Sequence, residues 1–256
     1  MAADFDFTGR VALVTGAASG IGAATARWLD RHGVAELVLV DMDRPGLDLL
    51  GLECKITPYG GDVGDPSLWN LLERNLPPID HAVLNAGIAT TGNIVDLDIA
   101  TWRKTMAVNL DGMFLSLRAA LRSMKKNGRS GSVVMTASAS GLKAAPGTAA
   151  YASSKAAIVQ LARVAALEGA QYGVRVNAIA PGGVDTGIWD KADWFAALVE
   201  QHGGRDAALA AMARDGTPIG RFASADEVAG QIGFLLSDMA ATMTGTCMVS
   251  DGGVSL

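Results

Sequence analysis

Tyr151 and Lys155 stand four residues apart in the stretch AAYASSKAAIVQLARVAALEGAQYG. A helix puts residues so spaced side by side on one face. A phenol titrates at about pH 10 in water, and a neighbouring cation favours its phenolate, which brings it toward what an acid/base catalyst needs near neutrality. The same pair occurs on many helices by chance, so the elements around it must decide whether it does chemistry. Ser138 and Ser140 lie upstream in a turn of small residues, where hydroxyls are more often structural than catalytic.

Those elements begin with VALVT, Val11 to Thr15, an apolar run of the kind buried on both faces of a parallel sheet. GAASGIG follows, with Gly16, Ser19, Gly20, Ile21 and Gly22, and then a helical pattern through Ala24, Trp28 and Leu29 that stops near Gly33. Strand, glycine turn and helix in that order aim backbone N–H groups and a positive helix end at a diphosphate. The spacing G-x-x-x-G-x-G differs from G-x-G-x-x-G, and a turn needed only for tight packing is the competing reading. Leu37 to Val40 is the second strand, and Asp41 directly after it is placed to accept hydrogen bonds from an adenosine ribose. A carboxylate there repels a 2′-phosphate by ~1 to ~4 kcal/mol at about 4 Å, which favours NAD over NADP by about tenfold or more. Arg44, just downstream, could soften that preference.

Ile56 to Gly61 reads as a third strand ending at Asp62 and Val63, and Pro45 with several glycines allows only a short helix before it. Ser67 to Leu76 is a brief helix closed by Pro77 and Pro78. An apolar strand, Ala82 to Leu84, delivers Asn85, Ala86 and Gly87 to its carboxyl end, where ligands bind in an open parallel sheet. Asp98 caps a long helix from Ile99 to about Lys126, stopped by Asn127 and Gly128. Asn109 lies in its middle, either buried, where it would need partners and could hold a water or bend the helix, or facing solvent. Ser132 to Thr136 is the fifth strand, and it brings Ser138 to the edge that carries the glycine turn and Asn85.

Together these motifs resemble the short-chain dehydrogenase/reductase family over nearly the whole chain. TGAASGIG is similar to its cofactor turn, NAG to its sheet-stabilising motif, Tyr151-x-x-x-Lys155 to its catalytic pair and VNLDG to the segment with its helix-borne asparagine. Ser138 precedes Tyr151 by 13 residues, which matches the family, and Ser140 does not match. The expected fold is α/β: a single-domain, Rossmann-like, doubly wound parallel sheet of about seven strands with helices on both faces. The resemblance implies that Tyr151 exchanges a proton with the substrate oxygen while a hydride passes between carbon and NAD. Ser138 would hold that oxygen in line. Lys155 would bind the nicotinamide ribose and keep the tyrosine acidic, and Asn109 would hold a water linking Lys155 to solvent. Asp41 would take the adenosine ribose and Asp62 and Val63 the adenine, while the glycine turn and the Asn85-Ala86-Gly87 segment line the dinucleotide. Ser19 stands where NADP-preferring members often carry a basic residue, and the segments after Asp41 and Asp65 look shorter than usual, implying an open adenine rim.

RVNAIAPGGVDT, Arg175 to Thr186, reads as a sixth strand running into Pro181 and Gly182. By resemblance, Val184 and Thr186 lie along the nicotinamide carboxamide and the diphosphate. Residues 184–217, with Trp189, Trp194, Phe195, Leu198 and Met212, correspond to a substrate lid whose apolar content fits an apolar substrate or simply docking on the body. Ser224 to Glu227 is a capping box that opens a helix to about Leu236, and TGTCMVSDGG holds the seventh strand. Pocket walls fall to Ala139, Ser140, Lys143, Thr148, Gly183 and the lid. Lys143 is either a solvated loop residue or a contact for an acidic substrate. The expected activity is NAD-dependent oxidation or reduction of a small or apolar secondary alcohol or its ketone. An NADP-dependent 3-oxoacyl-type ketoreductase and a non-catalytic dinucleotide-binding regulator are the alternatives.

Composition limits the partners. Half of the 256 residues are apolar and no polar linker interrupts them, so one domain over 1–256 is expected. The net charge is −5 without a basic stripe, so neither nucleic acid nor an anionic membrane is an expected partner. The start, MAADFDFTGR, does not read as a signal peptide, and no apolar stretch is long enough to span a bilayer. Cys54 and Cys247 lie far apart and read as reduced cysteines of a cytoplasmic protein; the histidines sit in no ligand motif, so no metal is expected. The long helices after Asp98 and from Ala150 correspond to those that meet across a two-fold axis in the family, so a homotetramer or dimer is expected.

Overall fold

In the computed structural model, which describes residues 5–128 and 130–256, the apolar runs become a parallel sheet and the amphipathic segments its covering helices. The first half alternates β1 (Val11–Thr15), α1 (Gly20–Arg31), β2 (Glu36–Asp41), α2 (Arg44–Asp48), β3 (Lys55–Gly60), α3 (Pro66–Asn75) and β4 (His81–Leu84). The second continues with α4 (Ile99–Met106), α5 (Gly112–Asn127), β5 (Gly131–Thr136), α6 (Ala149–Ala170) and β6 (Val174–Pro181). Then come β7 (Val184–Asp185), α7 (Asp193–His202), α8 (Arg205–Gly216), β8 (Ala223–Ser224), α9 (Ala225–Leu236) and β9 (Cys247–Ser250).

The seven-stranded sheet has the order β3-β2-β1-β4-β5-β6-β9, parallel throughout. The chain winds outward from β1 through β2 to β3, then returns to β4 and winds the other way. The reversal between β1 and β4 opens a crevice at their carboxyl ends. The inner strands are apolar on both faces because both are covered. Leu13, Leu84, Val133 and Met135 pack with α3, α5 and α6 on one side, and Val14, Val83 and Val134 pack with α1 and α9 on the other. Pro58 is tolerated because β3 is an edge strand.

Local chemistry sets several element ends. Asp43, Asp65 and Asp98 each accept a hydrogen bond from a backbone N–H in the first turn of the helix they open, and Ser224 with Glu227 forms the anticipated capping box. At the other end of α9, the Arg175 guanidinium donates to the carbonyls of Leu235, Leu236 and Ser237 at 2.8, 2.9 and 3.0 Å, satisfying groups a helix terminus leaves open. Among the described residues no helix is long and apolar enough to cross a membrane.

Two features depart from the sequence expectation. The long helix expected from Ile99 to Lys126 is interrupted by a π turn over Ala107–Asp111, centred on Asn109. A two-stranded parallel pair, β7 with β8, was not anticipated, since two-residue strands carry no apolar pattern.

Candidate active site

At the crevice between β1 and β4 two turns are pressed together. Gly16 has φ +64°, and a Cβ on it would stand 2.8 Å from the Ala86 Cα. A Cβ on Gly22 would overlap the Gly16 carbonyl, so neither place admits a side chain. Asn85 locks the contact: its N–H donates to Thr15 Oγ1 at 2.9 Å, and its Nδ2 to the carbonyls of Thr15 and Gly16 at 3.3 and 3.4 Å. Thr15 Oγ1 also takes the Ala86 N–H at 3.1 Å. Ser19 sits at the N-cap of α1 without capping it, and Gly20 and Ile21 form the first turn. A bare backbone turn at the positive end of a 12-residue helix fits a diphosphate.

The carboxylate at the end of β2 helps build that turn. Asp41 Oδ2 accepts from the Ala18 N–H at 2.9 Å and Oδ1 from the Asp43 N–H at 3.0 Å, which leaves acceptor capacity on both oxygens. Arg44 is paired with Asp48 along α2, so its charge is already engaged. Asp62 Oδ1 accepts from the Gly64 N–H at 2.8 Å. The Val63 side chain is buried in the core and its carbonyl accepts from Trp69 Nε1 at 2.7 Å, leaving its backbone for any contact with a base. On the opposite wall, Pro181 ends β6, Gly182 donates to the Ser250 carbonyl at 3.0 Å, and Val184 is buried in β7. Thr186 lies on the glycine turn, its Cγ2 at 3.3 Å from where a Gly20 Cβ would be. Motifs from the two ends of the chain thus meet over one groove whose donors, charge and bare backbone fit a dinucleotide.

Beside this groove stand the proton-transfer candidates. Ser138 follows β5; its Oγ accepts the Ser140 N–H at 3.2 Å, and the hydroxyl is close enough to the Tyr151 phenol to influence its ionisation. Ser140 therefore supports Ser138 through its backbone. One turn along α6, the buried Lys155 donates from Nζ to the Thr136 carbonyl at 2.8 Å, and Nζ lies 5.7 Å from the Tyr151 ring centroid. The expected acidification of the tyrosine by the lysine is not what this environment produces. Burial pushes the Tyr151 phenol up, with the Ser138 hydroxyl opposing, and burial pulls the Lys155 ammonium down to about 8. Loss of water penalises the charged form of each group.

Asn109 is fully buried, which removes the solvent-facing alternative. Its Oδ1 accepts the Ile88 N–H at 2.8 Å, and its Nδ2 donates to the Ile88 carbonyl at 2.9 Å and to Ser154 Oγ at 3.1 Å. A Cβ on Gly87 would sit 3.2 Å from Asn109 Oδ1 and 3.5 Å from Lys155 Nζ, so these two groups face each other across a bare glycine. The π turn exists where the asparagine reaches out of its own helix to both neighbours.

Residues 187–217 pack largely on one another and on the segment that follows them. Trp189 stacks on Phe222 at 5.6 Å and donates from Nε1 to the Val184 carbonyl at 2.7 Å, while Phe195, Leu198, Leu209 and Met212 share a small apolar cluster. Lys143 is an exposed loop residue, as one of the two readings expected, and its Nζ donates to the Val254 carbonyl at 2.6 Å. Sequence reasoning missed Thr15, Thr136, Ser154 and Arg205, whose contributions run through hydrogen bonds to distant segments.

Comparison with known proteins agrees with this arrangement. The family model described as enoyl-(acyl carrier protein) reductase matches residues 16–255. Among curated proteins, cis-4-hydroxycyclohexanecarboxylate dehydrogenase of Sinomonas cyclohexanicum is 36% identical, with 96% of this chain and 97% of that protein covered. The 3-oxoacyl-[acyl-carrier-protein] reductase of Thermotoga maritima is 35% identical, with 96% and 98% covered. Among solved structures, L-sorbose reductase from Gluconobacter frateurii, complexed with NADPH and L-sorbose, superposes with a TM-score of 0.90 at 27% identity over 98% of each chain.

Proposed function

The chain belongs to the short-chain dehydrogenase/reductase family of oxidoreductases, and from that premise we propose that it is an NAD-dependent enzyme interconverting a small or apolar secondary alcohol and its ketone. The observation that carries this reading is the buried Lys155 ammonium, 5.7 Å from the Tyr151 ring centroid, with Asn109 facing it across Gly87 and Ser138 beside the phenol. A bound nicotinamide dinucleotide supplies the hydride chemistry. Tyr151 gives its proton to the substrate oxygen in reduction and removes the hydroxyl proton in oxidation. Ser138, whose oxygen already accepts the Ser140 N–H, donates its own proton to that substrate oxygen and holds it in line. Lys155 binds the nicotinamide ribose and balances the phenolate when the proton leaves. Asn109 braces the π turn and, by the family resemblance, would hold a water that links Lys155 to solvent.

The preference for NAD rests on Asp41, with Ser19 in the turn and Arg44 occupied by Asp48. Asp41 and the turn glycines then hold the adenosine ribose and diphosphate, Asp62 and Val63 the adenine, Asn85 to Gly87 the inner wall, and Pro181, Gly182, Val184 and Thr186 the outer one. Residues 184–217 form a lid within a single domain spanning 1–256. Similarity to cis-4-hydroxycyclohexanecarboxylate dehydrogenase supports a small alicyclic alcohol as substrate. Resemblance to the 3-oxoacyl reductase supports a second reading, an NADP-dependent ketoreductase. Exposed Phe114, Val164 and Leu167 on α5 and α6, beside a cavity of about 240 Å³, support a homotetramer or dimer across these helices. Two free cysteines suit a reducing compartment, the cytoplasm.

A screen of secondary alcohols, cyclic diols, sugars and hydroxy acids with NAD and NADP, and of ketones and 3-oxoacyl thioesters with NADH and NADPH, each cofactor at the same low concentration, tests the proposal by absorbance of the reduced cofactor, with cofactor binding followed by fluorescence. Turnover of a secondary alcohol with NAD favoured is the expected result. Preference for NADP with 3-oxoacyl substrates points to the second reading, and cofactor binding with no turnover in either direction points to a regulator.

A further inference from the structure

Arg205 opens α8, and its guanidinium reaches away from the helix to three oxygens. Nε donates to Asp190 Oδ1 at 2.9 Å, Nη1 to Asp185 Oδ1 at 2.8 Å and Nη2 to the Thr186 carbonyl at 3.0 Å. Asp185 is in β7, and Asp190 lies in the turn that leads to α7. Thr186, whose carbonyl is held, is also the residue whose side chain rests on Gly20 of the glycine turn. One planar fork therefore joins α8 and the turn before α7 to one wall of the cofactor groove. A lysine ammonium cannot span three acceptors in that fixed geometry.

We propose that Arg205 is a positioning residue for the cofactor, holding Thr186 against the glycine turn and coupling dinucleotide binding to the seating of α7 and α8. This rests on the reading of that turn as the diphosphate site. Asp185 and Asp190 are 52% and 48% exposed, so the ion pairs themselves add little to folding stability. The rest of the segment is pinned without Arg205, by the β7–β8 pairing and by Trp189, which stacks on Phe222 and donates to the Val184 carbonyl. Losing the guanidinium frees Thr186 while leaving the fold in place.

The test is NADH binding by fluorescence titration, with initial-rate kinetics and thermal melting, on the full chain and on Arg205→Ala, Arg205→Lys and Asp185→Asn. Arg205→Ala should raise Kd and KM for NADH about tenfold, with kcat within about threefold and melting nearly unchanged; the lysine variant should recover part of the loss. If the unsubstituted protein does not bind NADH, the dinucleotide reading itself fails. If it binds and Arg205→Ala binds as tightly, the proposal is overturned. A variant in which affinity, kcat and melting fall together, with no recovery by lysine, shows a merely structural residue and also overturns it. Should Arg205→Ala fail to fold, Asp185→Asn carries the test: about two- to fivefold weaker binding supports the proposal, and unchanged binding refutes it.

Discussion

Asn109 Nδ2 donates to Ser154 Oγ at 3.1 Å, and Ser154 Oγ donates to the Tyr151 carbonyl at 2.7 Å. This pair of bonds ties the π turn to the helical turn that carries the phenol and the ammonium. Replacing Asn109 by leucine leaves the part-buried N–H and C=O of Ile88 without their partner, at a cost of up to roughly 1–3 kcal/mol for each group that water does not reach. Asn109→Leu should lower the urea midpoint and cut kcat by about tenfold or more through misplacement of the catalytic groups. A kcat equal to that of the parent at normal stability would show that the brace has no bearing on the chemistry.

Asp41 has two tasks, holding the Ala18 N–H and, on the proposed reading, discriminating against a 2′-phosphate. Asp41→Ser retains a hydroxyl acceptor near the turn and removes the negative charge. The ratio of kcat/KM for NADP to that for NAD should rise by about 10- to 10³-fold, as expected for relief of ~1–4 kcal/mol of repulsion. A ratio that stays put assigns cofactor preference to some other group.

His81 gives a pH-dependent prediction outside the groove. Ser132 Oγ donates to the Leu236 carbonyl at 2.8 Å, so His81 Nδ1, 2.8 Å away, is the donor to Ser132. Burial pulls the imidazole down to about 4, below its ordinary value. Above the unfolded value of about 6.5 neither state is protonated at this residue; as pH falls toward 4 the unfolded chain takes up the proton first, and stability is lost. The loss is on the order of 2 kcal/mol once residual solvent contact is allowed for. Denaturant titrations between about pH 4.5 and 7 should show this slope in the parent protein and a shallower one in His81→Gln. Identical slopes would place the acid sensitivity elsewhere.

The strands, the glycine turn and the NAG turn were legible because their causes are local: an apolar run followed by residues that allow tight backbone contact. Strand order placed the turn with Ser138 and Ser140 at the edge of the glycine turn and helical spacing placed Lys155 beside Tyr151, whereas the choice of Ser138 over Ser140 came from the family resemblance. The π turn was not legible, since Asn109 makes it by bonding to Ile88 and Ser154, 21 and 45 positions away. The direction of the Tyr151 shift was missed for a similar reason, because spacing shows the neighbouring cation but not the loss of water around both groups. Lys143 bound to the Val254 carbonyl and Arg205 bound to Asp185, Asp190 and Thr186 are likewise products of chain folding.

The most direct test of the account compares Tyr151→Phe with the parent protein, measuring kcat on whichever alcohol the screen identifies together with Kd for NADH. The phenylalanine ring keeps the packing and deletes only the oxygen, so kcat should fall by about 10²- to 10⁴-fold while Kd changes by less than about threefold. A variant that binds NADH normally and turns over at close to the parent rate would contradict the assignment of Tyr151 as the proton donor and acceptor.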